Sequence, residues 1–460
     1  MQNRKRLIAS TKKSHAEPSD REVIDATVKK ALGFGATDAV VSLDRLDKSQ
    51  IKFANSEVVV SQVWSEMGME LFLAFGKRVV TSHLNDLSRI DAVLAELKKS
   101  SAKTPENADY LGVAEGKYNY RKLPLDRKIV DSEDALIGLA WKGIEAAESN
   151  GADRCAGVLH RYHTLHTMAS SRGPSFEDEG ASLNYSIRAF GKAGGSGHAV
   201  SCATSMRALD PVGAGKEAAA FCKLAAAPKP GPDGRMNVLF TPMAGADLPM
   251  LAAKFASASA VDAGMSFLKD KIGKTVGSKA ITIIDDGTLP EGMGSGCADD
   301  EGVPTQRTEI IKNGKLLTYL HNTSTAKKYK AKNTANAGLT GPAPNNVVVP
   351  PGDMSRDELL EEMRDGIIVT NVWYSRFQNY STGDYSTIPR DAILLVRKGE
   401  IVSSVKGVRI SDNMERMLKG VSALGKVQKQ VFWWEMDMGG MPTFVPDMMI
   451  EKVNVTKSTK

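Results

Sequence analysis

Residues 225–234 read Ala-Ala-Ala-Pro-Lys-Pro-Gly-Pro-Asp-Gly, three prolines and two glycines in ten positions. Each proline lacks a backbone N–H and fixes φ, so neither a helix interior nor a central strand passes through this stretch. It divides the 460-residue chain into two pieces of ordinary domain size. The expected boundaries are an N-terminal domain over 19–227, a linker over 228–234 and a C-terminal domain over 235–460. Residues 1–18 are polar and read as a disordered terminus. At 42% apolar and 25% charged, the chain has enough hydrophobic material for a core in each piece.

Period and punctuation give the elements. Residues 19–33 read as a helix, with Ser19 or Asp20 as cap, Ile24, Val28 and Ala31 on one face, and Gly33 as the stop. Alternating runs follow at 39–43, 51–53, 57–63, 67–74 and 78–82, the pattern of an antiparallel meander. Residues 86–99 and 131–149 have helical spacing. The segment from Met69 to His83, with a Phe-Gly-Lys turn, is echoed from Tyr185 to His198. A second echo relates 310–317 to 395–402, where Asn313-Gly314 and Lys398-Gly399 supply hairpin turns. Beyond the linker, 238–240 reads as a strand, 245–260 as an Ala-rich helix and 355–365 as a helix. Ser355 and Glu358 would form a capping box there.

A formal charge of +6 on a chain of this size is a weak bias. No nucleic-acid motif or aromatic interleaving accompanies the lysines, so nucleic acid is not an expected partner. Four cysteines, Cys155, Cys202, Cys222 and Cys297, lack CxxC spacing and fit a reducing cytoplasm. No apolar run is long enough to span a membrane, and no signal peptide is read.

The densest chemistry lies between Asp285 and Gly302, with six carboxylates and five glycines between two apolar flanks read as strands. Such a stretch is a solvated loop, a cation site or a rigid cleft edge. Adjacent residues on a strand point to opposite sides, so Asp299, Asp300 and Glu301 are expected to accept backbone N–H bonds at a turn rather than share one ion. Gly383-Asp384 reads as a similar turn. His160, His163 and His166 fall on a strand-like segment, with His160 and His166 on one face and His163 on the other. No Gly-x-Ser-x-Gly elbow, Walker loop or dinucleotide fingerprint is present. Aromatics cluster from Trp373 to Tyr385, interleaved with Arg376, Gln378 and Asn379, as core or as the lining of a peptide groove or a subunit interface.

The segments 263–273, 281–287 and 299–305 resemble the TldD/PmbA family, once called modulators of DNA gyrase. The similarity continues through Asn313-Gly314-Lys315-Leu316, Ser324-Thr325-Ala326-Lys327, Thr334-Ala335-Asn336-Ala337, Thr382-Gly383-Asp384-Tyr385-Ser386, Lys398-Gly399-Glu400-Ile401 and Ile410-Ser411-Asp412-Asn413. It covers about 235–425; the N-terminal half fits more loosely, and the tail after Gly425 departs from it. The resemblance implies a fold shared with a zinc metallopeptidase subunit, TldD. That subunit carries His-Glu-x-x-x-His on a helix and a late cysteine as third ligand. Here the motif would fall near Pro249-Met250-Leu251-Ala252-Ala253-Lys254, which offers neither histidine nor glutamate. The last cysteine is Cys297, and an ammonium such as that of Lys254 has no lone pair for zinc.

The chain therefore reads as an α+β protein of two domains. The first is an antiparallel sheet with helices, and the second is built of long twisted β-hairpins with few helices. By resemblance it is similar to the metal-free TldE/PmbA type, a non-catalytic subunit of a cytoplasmic complex acting on unfolded peptides. No catalytic residue, metal ligand or cofactor is assigned to this chain, and zinc is expected in a TldD-type partner. The expected partners are that paralogue, or a second copy, and a peptide; no membrane is expected. Asp299, Asp300, Glu301, His321 and Asp384 are the candidate cavity-facing polar groups. Two alternatives stay open: a hydrolase using other ligands, such as His321 with Asp299 and Glu301, or a peptide-binding homo-oligomer without chemistry.

Overall fold

The structure is a computed structural model that describes residues 18–338, 341–433 and 440–457. The expectation for residues 1–18 therefore falls almost wholly outside the described residues. The chain has two domains of α+β architecture. The first contains α1 (Asp20–Gly33), β1 (Asp38–Ala54), β2 (Glu57–Phe75), β3 (Arg78–Leu84), α2 (Ile90–Ser101), α3 (Arg127–Val130), α4 (Leu136–Ser149), β4 (Arg154–Ser170), β5 (Ser175–Phe190), β6 (Ser196–Ala203) and α5 (Pro211–Leu224). Ser19 caps α1 as its sequence requires. Its hydroxyl accepts the Glu22 amide, and the Glu22 carboxylate accepts the Ser19 amide.

The six strands form one antiparallel sheet in the order β3-β2-β1-β4-β5-β6. The runs 39–43 and 51–53 are one strand, because the charged residues between them keep the alternation and no turn residue intervenes. The echo between the two Phe-Gly-Lys segments is a repeat of structure: hairpin β2–β3 and hairpin β5–β6 flank the central β1–β4 pair. Period two divides the faces. Ala39, Val41, Leu43, Ile51 and Phe53 of β1 are buried on the face that α1, α2, α4 and α5 cover. Val40, Ser42 and Asp44 point the other way, toward the C-terminal domain. The helix layer comes very close to the sheet at Gly197, where a Cβ would lie 2.1 Å from the Ala218 carbonyl oxygen of α5.

The linker holds β7 (Lys229–Pro230), a two-residue parallel edge pairing with Val405 and Lys406. The C-terminal domain then runs β8 (Gly234–Phe240), α6 (Pro242–Gly245), α7 (Asp247–Phe255), α8 (Ala258–Asp262), β9 (Ile283–Asp286), β10 (Arg307–Lys312), β11 (Lys315–Leu316), α9 (Thr323–Tyr329), β12 (Val347–Val348), α10 (Arg356–Met363), β13 (Gly366–Asn379), β14 (Asp384–Arg397), β15 (Glu400–Lys406), β16 (Val408–Asn413), α11 (Met414–Gly420), β17 (Val421–Val431) and β18 (Thr443–Lys457). Its sheet follows β11-β10-β9-β12-β18-β8-β13-β14-β15-β7, with β16 and β17 added beside β14 and β18. The hairpins expected at Asn313-Gly314 and Lys398-Gly399 are β10–β11 and β14–β15. Met448 and Met449 of β18 are core.

The helix expected over 245–260 is three short pieces. Leu320 decides this: its amide donates to the Ala256 carbonyl, and its carbonyl accepts the Ala258 amide, which pulls the chain out of helical register. Asp285 and Asp286, read as the start of a loop, instead close strand β9 and are both buried.

Candidate functional site

Between the open face of the N-terminal sheet and residues 287–306, which connect β9 to β10, run two adjoining clefts. Carboxylates at the end of β9 and within the connection hold the surrounding backbone in place. Asp285 is fully buried and accepts from the Asn345 amide at 2.6 Å and from Asn336 Nδ2 at 2.6 Å. Burial raises its pKa to about 6, against the pull of those donors. Asp299 accepts the amides of Glu301 (3.0 Å), Val303 (2.9 Å) and Ala337 (2.9 Å). Burial and the neighbouring Glu301 charge lift it to about 7. Glu301 accepts the Thr323 amide at the start of α9, and burial raises its pKa as well. From the sheet side, Asp178 Oδ2 accepts the Cys297 amide at 2.7 Å, and the Tyr120 hydroxyl donates to the Gly302 carbonyl at 3.0 Å.

The first cleft, about 640 Å³, has apolar walls that include Val40, Phe72, Val79 and Tyr110, and it carries the carboxylates of Glu70, Asp109, Asp262, Asp300 and Glu301. The second, about 550 Å³, carries those of Asp44, Asp178 and Asp300, while the Glu179 carboxylate turns to Arg127 and His163 on the other face of the sheet. Asp300 lines both and marks where they meet. No lysine or arginine is among the described residues lining either cleft. Lys328, which does not line the first cleft, pairs with two of its carboxylates, Asp109 (2.8 Å) and Asp262 (2.9 Å), and offsets part of their charge. His166 in the second lies 2.5 Å from Asp44. Burial opposes charging of that imidazole, but the bond and charge of Asp44 raise its pKa overall. The result is a ligand-sized, acidic channel with apolar walls, its charge offset in part by Lys328 and His166.

The sequence-predicted residues scatter around this channel. Asp300 and Glu301 line it, while Asp299 sits behind them as a brace. His321 does not face it. Its ring is wholly buried beside Tyr319 and Tyr329, and Nδ1 lies 3.3 Å from the Thr325 hydroxyl. Burial lowers its pKa to about 4. Asp384 stands on the exposed turn between β13 and β14, accepting from the Thr382 hydroxyl at 2.6 Å and Asn413 Nδ2 at 2.9 Å, which hold its pKa low. The aromatic stretch from Trp373 to Tyr385 forms the β13–β14 hairpin away from both clefts, where Phe377 meets Phe255 at 4.7 Å between ring centroids. His163 pairs with Glu179 on the helix-covered face of β4, opposite His160 and His166.

Sequence reading missed Asp44, Glu70, Asp178 and His166. Their signal was polar residues at every second position of long strands, a pattern that an exposed face shares. It also missed a buried network where the domains meet. Ser186 Oγ and His198 Nε2 lie 2.8 Å apart, Arg188 pairs with Asp391 at 3.1 Å, and Asn371 Nδ2 donates to Asp391 at 2.8 Å. Burial drives the His198 pKa down to about 3, and neither cleft is lined by the network. It ties β5 and β6 of the first domain to β13 and β14 of the second.

Helix α7, where the resemblance places a zinc motif, does not fit the metal. Leu248, Ala252 and Ala253 are buried in the C-terminal core, and Met250, Leu251 and Lys254 supply no imidazole or carboxylate. Asp247 is its only carboxylate and accepts from the Ser375 hydroxyl at 2.6 Å. Among the described residues, no group of three or more His, Cys, Asp or Glu side chains is arranged to hold a metal ion.

Residues 233–457 match the model of the PmbA/TldA metallopeptidase C-terminal domain. The chain is 35% identical over 208 residues to "Metalloprotease MJ0996" of Methanocaldococcus jannaschii, covering 43% of this chain and 45% of that protein. It is 32% identical over 160 residues to "Metalloprotease PmbA" of Escherichia coli O157:H7, covering 35% of this chain and 34% of that one. The matched stretch thus spans less than half the length of these curated relatives. The fold extends further: the crystal structure of TldE from Thermococcus kodakarensis superposes with a TM-score of 0.82 at 19% identity, covering 94% of this chain and 100% of that one. The chain belongs to the TldD/PmbA family, with the family's sequence pattern in its C-terminal domain and the family's fold in both.

Proposed function

We propose that this chain is a TldE/PmbA-like, non-catalytic subunit of a cytoplasmic metallopeptidase complex, and that it holds an extended peptide for a TldD-type partner that carries the zinc. The carrying observation is the donor set of α7: at the family's metal-binding position the side chains are those of a packed core helix. The acidic channel supports the peptide-holding part. Its size suits several residues of extended chain, its walls take apolar side chains, and its carboxylates favour lysine and arginine over acidic residues. The four cysteines are free thiols, in keeping with a reducing compartment. No helix is long and apolar enough to cross a membrane.

The test is reconstitution. The purified chain alone is assayed for bound zinc and for cleavage of an unstructured basic peptide, then again with a His-Glu-x-x-x-His-bearing paralogue. We expect neither zinc nor cleavage alone, and faster cleavage by the mixture than by the paralogue alone. Asp300→Asn with Glu301→Gln should weaken capture of the basic peptide more than that of an acidic one. Stoichiometric zinc and cleavage by this chain alone would overturn the reading.

A further inference from the structure

Strand β5 is paired with β4 along almost its whole length, but β6 covers it only from Leu183 to Phe190. Residues 175–182 therefore have no strand on their outer side among the described residues. The Ser170 amide donates to the Pro174 carbonyl where β4 turns into β5, and the Gly191 amide donates to the Gly195 carbonyl where β5 turns into β6. These bonds set both ladders: even-numbered residues of β5 turn their N–H and C=O groups to β4, odd-numbered ones turn theirs outward. Glu177, Glu179 and Ala181 thus present backbone groups at an open edge. The Glu179 amide is taken up by Asp178 Oδ1 at 3.1 Å, and Gly180, Ala181 and Ser182 line the second cleft.

Helix α1 begins at this edge. Arg21 donates to the Met168 carbonyl at 3.2 Å and to the Ser175 hydroxyl, and it pairs with Glu177 at 3.4 Å. Ser19 and Asp20 line a hollow that meets the second cleft at Leu123, Asp178 and Glu179. The chain therefore enters the fold beside the acidic channel. The residues before Pro18 carry five cations, Arg4, Lys5, Arg6, Lys12 and Lys13, against one carboxylate, Glu17. Leu7-Ile8 stands between the two basic groups. The second cleft offers the matching surface: carboxylates at Asp44, Asp178 and Asp300, and an apolar wall that includes Leu46, Leu123 and Phe176. Ten residues of extended chain reach roughly 33 Å, so the basic groups lie within range of a cleft that adjoins their point of entry.

We infer that residues 4–13 occupy the second cleft of their own chain, with the basic side chains toward Asp44, Asp178 and Asp300 and Leu7-Ile8 against the apolar wall, and that an incoming basic peptide must displace them. The segment is a tethered self-ligand. Its tether holds it at an effective concentration on the order of 1 mM, so even weak charge pairing keeps the cleft filled. The occupancy follows from charge, reach and the open edge; the competition rests on the peptide-holding reading above.

Occupancy is read on the full-length chain without peptide. A carbodiimide joins amines to carboxylates in contact, and mass spectrometry of the digest locates the links. We expect Lys5, Lys12 or Lys13 joined to Asp44 or Asp300 within one chain, and loss of these links at high salt. Links only to Asp20 or Glu177, at the point of entry, or to carboxylates outside the channel such as Glu96 and Glu133, overturn the inference. So do links that join two chains, told apart by mixing light and isotope-labelled protein. Competition is read with labelled hexalysine. The full-length triple variant Arg4→Glu, Lys5→Glu, Arg6→Glu should bind it at least about threefold more tightly than wild type. A synthetic peptide of residues 1–17 added to that variant should restore the weaker binding. Equal binding of hexalysine by wild type and variant overturns the displacement. If neither binds hexalysine, the peptide-holding reading falls, and the cross-links by themselves decide whether the segment fills the cleft.

Discussion

Asp299→Asn changes one oxygen for an NH2 group and little else in shape. Asp299 is 5% exposed, and its carboxylate receives three backbone amides, one of them the Ala337 N–H that crosses from another segment. In the variant Nδ2 faces that N–H, donor against donor, which costs about 2 kcal/mol for a buried unsatisfied group. The acid itself titrates. Burial, with the charge of Glu301, raises its pKa from 3.8 to about 7. Folding therefore takes up a proton between these values. The stability this contributes is complete below 3.8 and is lost as the pH rises through about 7. The full window corresponds to roughly 4 kcal/mol, of which roughly 2.5 kcal/mol falls between pH 5 and pH 8. Asparagine has nothing to titrate. Urea unfolding followed by circular dichroism should find the variant less stable than wild type by about 2 kcal/mol at pH 5. That gap should close or reverse by pH 8. A gap that stays constant within about 0.5 kcal/mol across that range would refute both the burial and the pairing assigned to Asp299.

Ser19→Ala removes the reciprocal cap of α1 and should lower stability by about 1 kcal/mol, seen as a lower urea midpoint with unchanged slope. Gly197→Ala places a methyl group against the Ala218 carbonyl and the Cys222 amide, forcing α5 off the sheet. A loss of at least about 2 kcal/mol is expected in the same assay, and retention of wild-type stability would mean that the helix is not seated there. His321 has its pKa lowered by burial from 6.5 to about 4, so its contribution is intact above 6.5 and drains away as the pH falls toward 4. His321→Leu should shift acid unfolding to lower pH and leave peptide capture unchanged; weaker capture would place the ring in the channel after all.

Much of the fold was legible because local rules enforce it. Ser19 and Glu22 cap α1, Asn313-Gly314 and Lys398-Gly399 turn hairpins, and the proline-rich linker admits only a two-residue edge strand. Helix 245–260 failed because its interruption comes from Leu320, sixty residues on, and no propensity encodes a distant hydrogen bond. The candidate site was half legible. The acidic density between Asp285 and Gly302 was plain, and Asp299 accepts turn amides as such residues do. Nothing local distinguishes Asp300, which lines both clefts, from Asp299, which braces them, because adjacent residues diverge only once the loop is anchored. By itself the sequence determined the periodic faces, the caps and turns, and the absence of zinc-binding side chains from α7, since these depend on neighbours within a few positions. Only the tertiary structure decided that Asp44, Glu70, Asp178 and His166 look onto a cleft beneath the other domain instead of a bare sheet face. One strand face has the same alternation whichever way it looks, and burial is settled by what another domain lays across it.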